Sequence, residues 1–154
     1  MLKINLKKIN INIINSSGHQ NPKLETLVSA GADLRAFIDE SITLKPFERR
    51  LIPTGIKVAI PVDLEIQIRP RSGLAAKESI GVLNSPGTID SDYRGEIKII
   101  LFNHGSKDFI INNGDRVAQM VLVPILKMEL EEVDNLPDTL RGEGGFGSTG
   151  KNEF

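Results

Sequence analysis

The sequence predicts an all-β fold, a jelly-roll-like antiparallel β-barrel or sandwich, from three observations. Short segments alternate apolar and polar residues with the period of a half-buried strand. Proline and glycine divide these segments at short, regular intervals. No amphipathic helical pattern of useful length lies between them, which argues against alternating βαβ units, and neither GxGxxG nor GxxxxGK[ST] occurs. We predict one β domain over residues 1–136 and a flexible, glycine-rich C-terminal arm over 137–154.

The amino-acid composition limits the classes of function that this chain could have. The 154 residues, 40% of them hydrophobic, suffice for one packed core. With 19 basic and 20 acidic residues the net charge is -1, so we expect no nucleic-acid or membrane partner, and phosphate recognition would be local. The absence of cysteine and of a signal-like N-terminus predicts a cytoplasmic, intracellular location. Two distant histidines, His19 and His104, make a His/Cys-type metal site improbable.

Strand boundaries follow from the alternation and from the turn formers. The N-terminal residues alternate cleanly, and a later, near-continuous apolar run has the character of a strand buried on both faces. The predicted strands are 2–6, 9–13, 34–37, 41–44, 50–52, 56–60, 64–68, 96–102, 109–111, 116–125 and 126–133.

The stretch 81–97 interleaves turn formers with chemically useful side chains. Val82 and Leu83 end a short strand, residues 84–87 form a tight turn, and Thr88 begins a return strand, which together predict a β-hairpin. Asn84 at its tip would present a side-chain amide beside free backbone groups. That arrangement can match both edges of a flat, amide-bearing ring such as uracil or thymine.

Carboxylates follow this return strand. Asp90 and Asp92 precede Tyr93, the single tyrosine of the chain. A carboxylate near an aromatic face in a small-molecule pocket suits a water-activating site. The alternative is an Asx turn between strands, and on this stretch alone the turn is favoured.

Further candidates for anion and cation binding lie elsewhere. Arg71, Ser72 and Gly73 offer a planar fork of donors, a hydroxyl and a close backbone approach, which suit phosphate; a basic turn capped by Ser72 is an equal alternative. Gln119 in the apolar strand is more simply explained by an internal hydrogen bond, although it could face a phosphate. Asp33 could hold a hydrated cation, but an ordinary polar residue at a strand start is favoured.

The C-terminal stretch 141–150 has five glycines in ten residues around Phe146. Glycine carries a large ordering cost, so this arm is expected to be mobile when free. Arg141, Phe146, Ser148 and Thr149 provide a cation, a stacking ring and two hydroxyls. They suit a lid over a nucleoside triphosphate; the alternative is a disordered chain end.

Taken together, five stretches resemble, in order and spacing, the five motifs of the homotrimeric dUTP pyrophosphatases. Each is weak alone, but five in sequence are very specific, and they cover the chain from about Ala30 to the C-terminus. They are Ala30-Gly-Ala-Asp-Leu-Arg-Ala36, Arg71-Ser-Gly-Leu74, Gly87-Thr-Ile-Asp-Ser-Asp-Tyr-Arg-Gly95, Gly114-Asp-Arg-Val-Ala-Gln-Met120 and Arg141-Gly-Glu-Gly-Gly-Phe-Gly147.

The resemblance implies a jelly-roll subunit, a homotrimer with shared active sites, and hydrolysis of dUTP to dUMP and pyrophosphate. By similarity, Asp90 activates the attacking water, Tyr93 excludes a 2′-hydroxyl, and Mg²⁺ is chelated by the triphosphate with Asp33 helping through water. The implied substrate-binding residues are Arg71, Ser72, Gly73, Asn84, Gly87, Thr88, Ile89, Tyr93, Lys98, Gln119, Arg141, Phe146, Gly147, Ser148 and Thr149.

Two other functions remain open. A dCTP deaminase shares the fold in this superfamily, but it requires a glutamate as general acid/base, and none has a clear counterpart beside the stretch 71–74. A catalytically inactive nucleotide-binding homologue is the second. Asp90, Tyr93 and the glycine-rich arm disfavour both.

Overall fold

A computed structural model describes residues 7–145 of the chain. Within this part it contains short strands and one seven-residue helix, so the prediction of an all-β fold is confirmed. The elements are β1 (Asn12–Asn15), β2 (Gly31–Arg35), β3 (Ile42–Leu44), β4 (Arg49–Pro53), β5 (Ile56–Ala59), β6 (Leu64–Arg69), α1 (Ser72–Glu78), β7 (Ile80–Val82), β8 (Gly87–Ile89), β9 (Lys98–Asn103), β10 (Phe109–Ile111) and β11 (Arg116–Pro124).

The strands form antiparallel sheets around one apolar core. A four-stranded sheet has the order β2-β11-β6-β8, a three-stranded sheet has the order β4-β9-β7, and β1 with β5 and β3 with β10 form two pairs. β2, β5, β6 and β9 alternate between the core and the outer face, whereas β4 is mostly exposed; Ile97, Ile99 and Leu101 are fully buried. The core therefore holds the sheets together, while the intervening residues are free to form sites.

The four-stranded sheet places polar residues in one row on its outer face. Asp33 of β2 pairs with Gln119 of β11, and Gln119 pairs with Arg69 of β6. Ala32 and Leu34, the neighbours of Asp33, are buried. Because side chains alternate along a strand, Asp33 points away from the core.

The predicted hairpin at 81–89 is wrong, although its turn and both of its strands exist. β7 pairs with β9, whereas β8 pairs with β6 in the other sheet. Each of these strands has three residues and pairs over its whole length with a six-residue strand, β7 with β9 and β8 with β6, instead of with the other. The turn between them is thus a corner where the chain changes sheets.

Two further predicted strands begin at other residues in the structure, and a third cannot be compared. The N-terminal strand expected at 9–13 begins at Asn12, where pairing with β5 starts, while Ile9 and Ile11 pack against the core without strand structure. The strand expected at 34–37 is β2, three residues earlier, because pairing with β11 begins at Gly31. The strand expected at 2–6 lies outside the described residues.

The strand expected at 126–133 is absent. After the backbone N–H of Ile125 donates to the carbonyl of Asp63, these residues have no strand structure. Leu126, Met128 and Leu130 are 97%, 79% and 87% exposed. The alternation is correct for a strand, but a strand needs a hydrogen-bonded neighbour, and the described part of a single chain supplies none here. Within residues 7–145, no helix has the length and apolarity needed to cross a membrane.

Candidate functional site

Asp33 joins two arginines from separate parts of the chain. Its Oδ1 lies 2.9 Å from Nε of Arg71, and its Oδ2 lies 3.1 Å from the guanidinium of Arg116. The Asp33 side chain is 18% exposed, so these contacts are only partly screened by water. We call Asp33, Arg71, Arg116 and Gln119 the Asp33 cluster; it fixes two guanidinium groups at one end of the sheet.

Gln119 supports this cluster from the neighbouring strand. Its side-chain amide donates to the carbonyl of Pro70 at 2.9 Å, immediately before Arg71. Its Oε1 lies against Gly31, where a Cβ would collide with it. The Gln119 side chain therefore packs directly on the backbone of β2. The hydrogen bond supports the internal role considered for Gln119, and a phosphate role stays a prediction.

The helix α1 begins directly after Arg71. Ser72 is its first residue, Gly73 follows, and both are exposed. The side chain of Ser72 does not cap the helix, because the N-cap residue is Arg71 and no side-chain cap bond is formed. The alternative of a turn capped by Ser72 is therefore wrong, and its hydroxyl is not engaged in a cap.

A second candidate region, the Tyr93 pocket, lies between β8 and the outer face of β9. It has a volume of about 350 Å³. It is lined by Leu51, Thr88, Ile89, Asp90, Tyr93, Glu96, Lys98 and Ile100. Apolar walls with two carboxylates, one ammonium and one phenol are the composition expected of a small-molecule site. The fold thus brings Asp90, Tyr93 and Lys98 to one pocket, while their predicted roles stay predictions.

Backbone geometry forms the turn after β8. The N–H of Tyr93 donates to the carbonyl of Asp90 at 3.2 Å, and both side chains remain exposed. A backbone turn leaves the Asp90 carboxylate available, which the Asx turn considered above would not.

Asn84 lies on the corner that leads into β8. Its amide nitrogen would be 3.0 Å from a Cβ at Gly87, so Gly87 lets the Asn84 side chain fold over the start of the strand. Asn84 is exposed and does not line the Tyr93 pocket as defined above. The pocket-lining residues Thr88 and Ile89 follow it four and five positions later in the chain.

The two regions are well separated within one chain. From Asp33 to β8 the sheet crosses two intervening strands, and β8 pairs Ile89 with Ile66, three residues before Arg69. At about 4.8 Å per strand and 3.3 Å per residue, Asp33 and Asp90 are roughly 20 Å apart. One chain therefore does not bring its own Asp90 next to its own Asp33 cluster.

The arm is described only in part. Arg141 is exposed, and its Nε donates to the carbonyl of Gly144 in a local turn. Phe146, Gly147, Ser148 and Thr149 lie outside the described residues, so their predicted contacts stay predictions.

Sequence reasoning missed three residues. Arg116 was passed over as the start of an apolar strand, although its position after the Asn112–Asp115 turn could have marked it as a cation at a sheet end. Glu96 has the sequence context of an ordinary strand residue, yet its Oε1 accepts from the backbone N–H groups of Thr54 and Gly55. Gly31 gave no signal beyond its small size.

A divalent cation held by protein needs several oxygen or nitrogen ligands at one place. Within residues 7–145 no group of three or more His, Cys, Asp or Glu side chains could hold a metal ion. Both oxygens of Asp33 already accept from arginines. These residues do not fit an ion chelated by protein. They fit Mg²⁺ that takes its ligands from phosphate and water, with a carboxylate lone pair reaching a bound water.

The fold and the two regions define a class: an antiparallel, jelly-roll-like protein with one arginine-bearing candidate region at a sheet end and one separate pocket lined by Tyr93 and apolar side chains. Within that class, the chain belongs to the dUTPase family, whose profile matches residues 18–150. The deoxyuridine 5′-triphosphate nucleotidohydrolase of Fusobacterium nucleatum is 54% identical over 146 residues, 95% of this chain and all of the relative. The protein of the same name from Treponema denticola is 56% identical over 129 residues, 84% of this chain and 90% of the relative.

Solved structures agree on the fold. A dUTPase mutant of Staphylococcus bacteriophage 80alpha with dUpNHpp superposes with a TM-score of 0.84 at 25% identity, covering 94% of this chain and all of that chain. A mutant dUTPase from phage phi11 of S. aureus, described with a structural Mg(II) ion, has a TM-score of 0.76 at 24% identity, covering 84% and 100%. At that identity the second match supports the fold alone.

Proposed function

We propose that this protein hydrolyses dUTP to dUMP and pyrophosphate, with Mg²⁺, at sites shared between the subunits of a homotrimer. The observation that carries the proposal is the division of one chain into two complementary half-sites. The Asp33 cluster suits phosphates and the Tyr93 pocket suits a nucleoside. Membership of the dUTPase family supports the choice of substrate.

The charge of the Asp33 cluster supports its role in phosphate binding. Arg71 and Arg116 contribute +2 and Asp33 contributes -1, which leaves +1 at the end of the sheet. Arg71 uses Nε for Asp33 and one terminal nitrogen for the carbonyl of Arg116, so the other terminal nitrogen remains for a phosphate oxygen. Ser72 and Gly73 add a hydroxyl and accessible backbone at the same place. Gln119 stands next to them.

The shape of the Tyr93 pocket supports its role in nucleoside binding. The Tyr93 ring forms one wall of the pocket and would pack against the deoxyribose, leaving no space for a 2′-hydroxyl. Asn84, with Gly87, Thr88 and Ile89 beside it, would hydrogen-bond the uracil edge. Lys98, which also lines the pocket, would face a phosphate or sugar oxygen.

One side chain, that of Asp90, would take part directly in the reaction. The Asp90 carboxylate accepts a proton from a water molecule, and the oxygen of that water forms a bond to the α-phosphorus. The bond from this phosphorus to the oxygen bridging to the β-phosphate breaks, and pyrophosphate leaves with the electron pair. Arg71 and its neighbours bind the phosphates and stabilise the charge that develops.

Mg²⁺ would bind mainly to the substrate. Asp33 would hold the ion through water, and the triphosphate would supply the direct ligands. The bound ion would neutralise phosphate charge and polarise phosphoryl oxygens. The arm residues Arg141, Phe146, Gly147, Ser148 and Thr149 would close over the nucleotide.

Two features support the assembly. Roughly 20 Å between Asp33 and Asp90, from the strand spacing, exceeds what one side chain can bridge, so a partner subunit would complete each site. The exposed, alternating residues Leu126, Met128 and Leu130 also present more apolar surface than a separate chain usually leaves in water. Burial against another copy would remove that surface. In a cell, the reaction would limit uracil incorporation into DNA and supply dUMP for dTMP synthesis.

A product assay tests the proposal. The protein is incubated with dUTP, dCTP or UTP and Mg²⁺, and nucleotide, pyrophosphate and ammonia are separated. We expect dUMP and pyrophosphate from dUTP, with little product from UTP. Ammonia from dCTP would show a deaminase instead, and binding of dUTP without product would show an inactive homologue.

A further inference from the structure

The Tyr93 ring is anchored by its hydroxyl group. The Oη of Tyr93 donates to the backbone carbonyl of Glu96 at 3.0 Å. The ring is 44% exposed, so one side faces the pocket while its far end is tied to the chain three residues later. This hydrogen bond fixes the orientation of the ring, which would otherwise vary in an exposed tyrosine.

Gly95 provides the space for this arrangement. A Cβ on Gly95 would fall onto the phenol, against Oη and Cζ and 2.8 Å from Cε2. The backbone of Gly95 does not lie in the left-handed region, so any residue could adopt its conformation. Glycine is therefore required here by the close approach of the ring rather than by backbone freedom.

The acceptor carbonyl belongs to a firmly held segment. The carboxylate of Glu96 accepts from the N–H groups of Thr54 and Gly55 at 3.1 and 2.8 Å. The next residue, Ile97, is fully buried, and its N–H donates to the carbonyl of Ile56. The carbonyl that holds Tyr93 cannot follow the ring if the ring is displaced.

We infer that Gly95 is a specificity-determining positioning residue, which acts on sugar selection through the seat it gives the Tyr93 ring. It touches no substrate itself. A side chain at 95 forces the ring off the Glu96 carbonyl, and the wall that would exclude a 2′-hydroxyl moves by at least the size of a methyl group. This inference rests on the proposed function, since it presumes that Tyr93 faces the sugar.

The test is Gly95→Ala, with kcat/KM measured for dUTP and for UTP. We expect kcat/KM for dUTP to fall on the order of tenfold or more, because a displacement of about 1 Å near the reacting groups has such effects. The preference for dUTP over UTP should also fall severalfold. The matched control is Gly81→Ala: Gly81 also lacks the left-handed conformation, and its added Cβ would approach only the exposed His104 ring, 3.2 Å away. It should retain the wild-type preference.

A double-mutant cycle separates this role from a structural one. In a Tyr93→Ala background, Gly95→Ala should leave the dUTP to UTP ratio unchanged, because the ring through which Gly95 acts has been removed. Tyr93→Phe, which loses only the anchor, should shift the ratio in the same direction as Gly95→Ala and serves if that variant does not fold. An unchanged ratio in the folded Gly95→Ala variant or in Tyr93→Phe would overturn the inference. If the wild-type protein does not hydrolyse dUTP, the proposed function itself fails.

Discussion

Arg71 and Asp33 form an ion pair at 2.9 Å between residues 38 positions apart in the chain. The pair links the loop before α1 to β2, and Arg116 completes it from β11. Arg71 donates from Nε to Asp33 and from one terminal nitrogen to the carbonyl of Arg116. These two bonds fix the guanidinium, and its other terminal nitrogen stays available. The carboxylate therefore orients the cation that would meet the phosphates.

This arrangement predicts the effect of Asp33→Asn. One amide oxygen can still accept from an arginine, but the new NH₂ group faces a second guanidinium donor. We expect KM for dUTP to rise about tenfold and stability to fall by about 1 kcal/mol, since the lost bonds are charge-assisted and only partly exposed. Steady-state kinetics and urea unfolding measure the two effects.

The control is Glu48→Gln, which breaks the Glu48 to Arg50 pair at 2.7 Å, where the arginine side chain is 56% exposed. Exposed pairs contribute little, so its stability should change by less than about 0.5 kcal/mol and its KM should not change. Equal KM values for Asp33→Asn and wild type would remove Asp33 from phosphate binding.

Alternation and turn residues predict the fold class and most strands, because each strand buries one face in a common core. They do not reveal which strands pair. The turn at Asn84 predicts a reversal correctly, but β7 and β8 join different sheets, a choice made by longer strands far away in the sequence. Similarly, alternation at residues 126–133 predicts a strand without saying whether its partner lies in the same chain.

Unknown strand pairing also limits what the sequence predicts about the candidate site. Asp33, Arg71 and Gln119 can be selected by residue type, and the fold brings them together. Arg116 joins them through a register shift at the start of β11, and a shift of this kind leaves no mark in the sequence. Contacts that depend on pairing between distant strands therefore had to come from the structure.

Gly31→Ala should displace the Gln119 side chain. The new Cβ would collide with Oε1 of Gln119, whose amide holds the Pro70 carbonyl beside Arg71. We expect KM for dUTP to rise severalfold and stability to fall by about 1 kcal/mol, because the flexible Gln119 side chain can move aside but loses its hydrogen bond. Gln119→Ala in the same background should relieve most of the stability loss, and thermal unfolding of the double variant tests this. Additive losses would mean that the strain lies elsewhere.

Asp90→Asn should retain dUTP binding and lose most turnover. The amide keeps the size of the side chain but cannot accept a proton from water, so kcat should fall by about 10²–10⁴ while the dissociation constant stays near the wild-type value. Asp92→Asn is the control, since Asp92 is an exposed carboxylate in the same turn that does not line the Tyr93 pocket. Turnover close to wild type in Asp90→Asn would exclude Asp90 as the base.

The separation of the two half-sites predicts complementation between inactive variants. Asp90→Asn damages the Tyr93 pocket, and Arg71→Ala damages the Asp33 cluster. If each site takes its pocket from one subunit and its arginine cluster from another, a mixed trimer contains some sites with both halves intact. With random mixing at equal amounts, about one quarter of the sites would be intact, so activity should return to about that fraction of wild type.

The two variants are unfolded together, refolded and assayed with dUTP, and each is also refolded alone as the baseline. Wild type carried through the same procedure corrects for refolding losses. If Asp90 and Arg71 served the same site from the same chain, every site of a mixed assembly would carry one of the two lesions. Activity of the mixture would then stay at the average of the separate variants, and the shared-site arrangement would have to be abandoned.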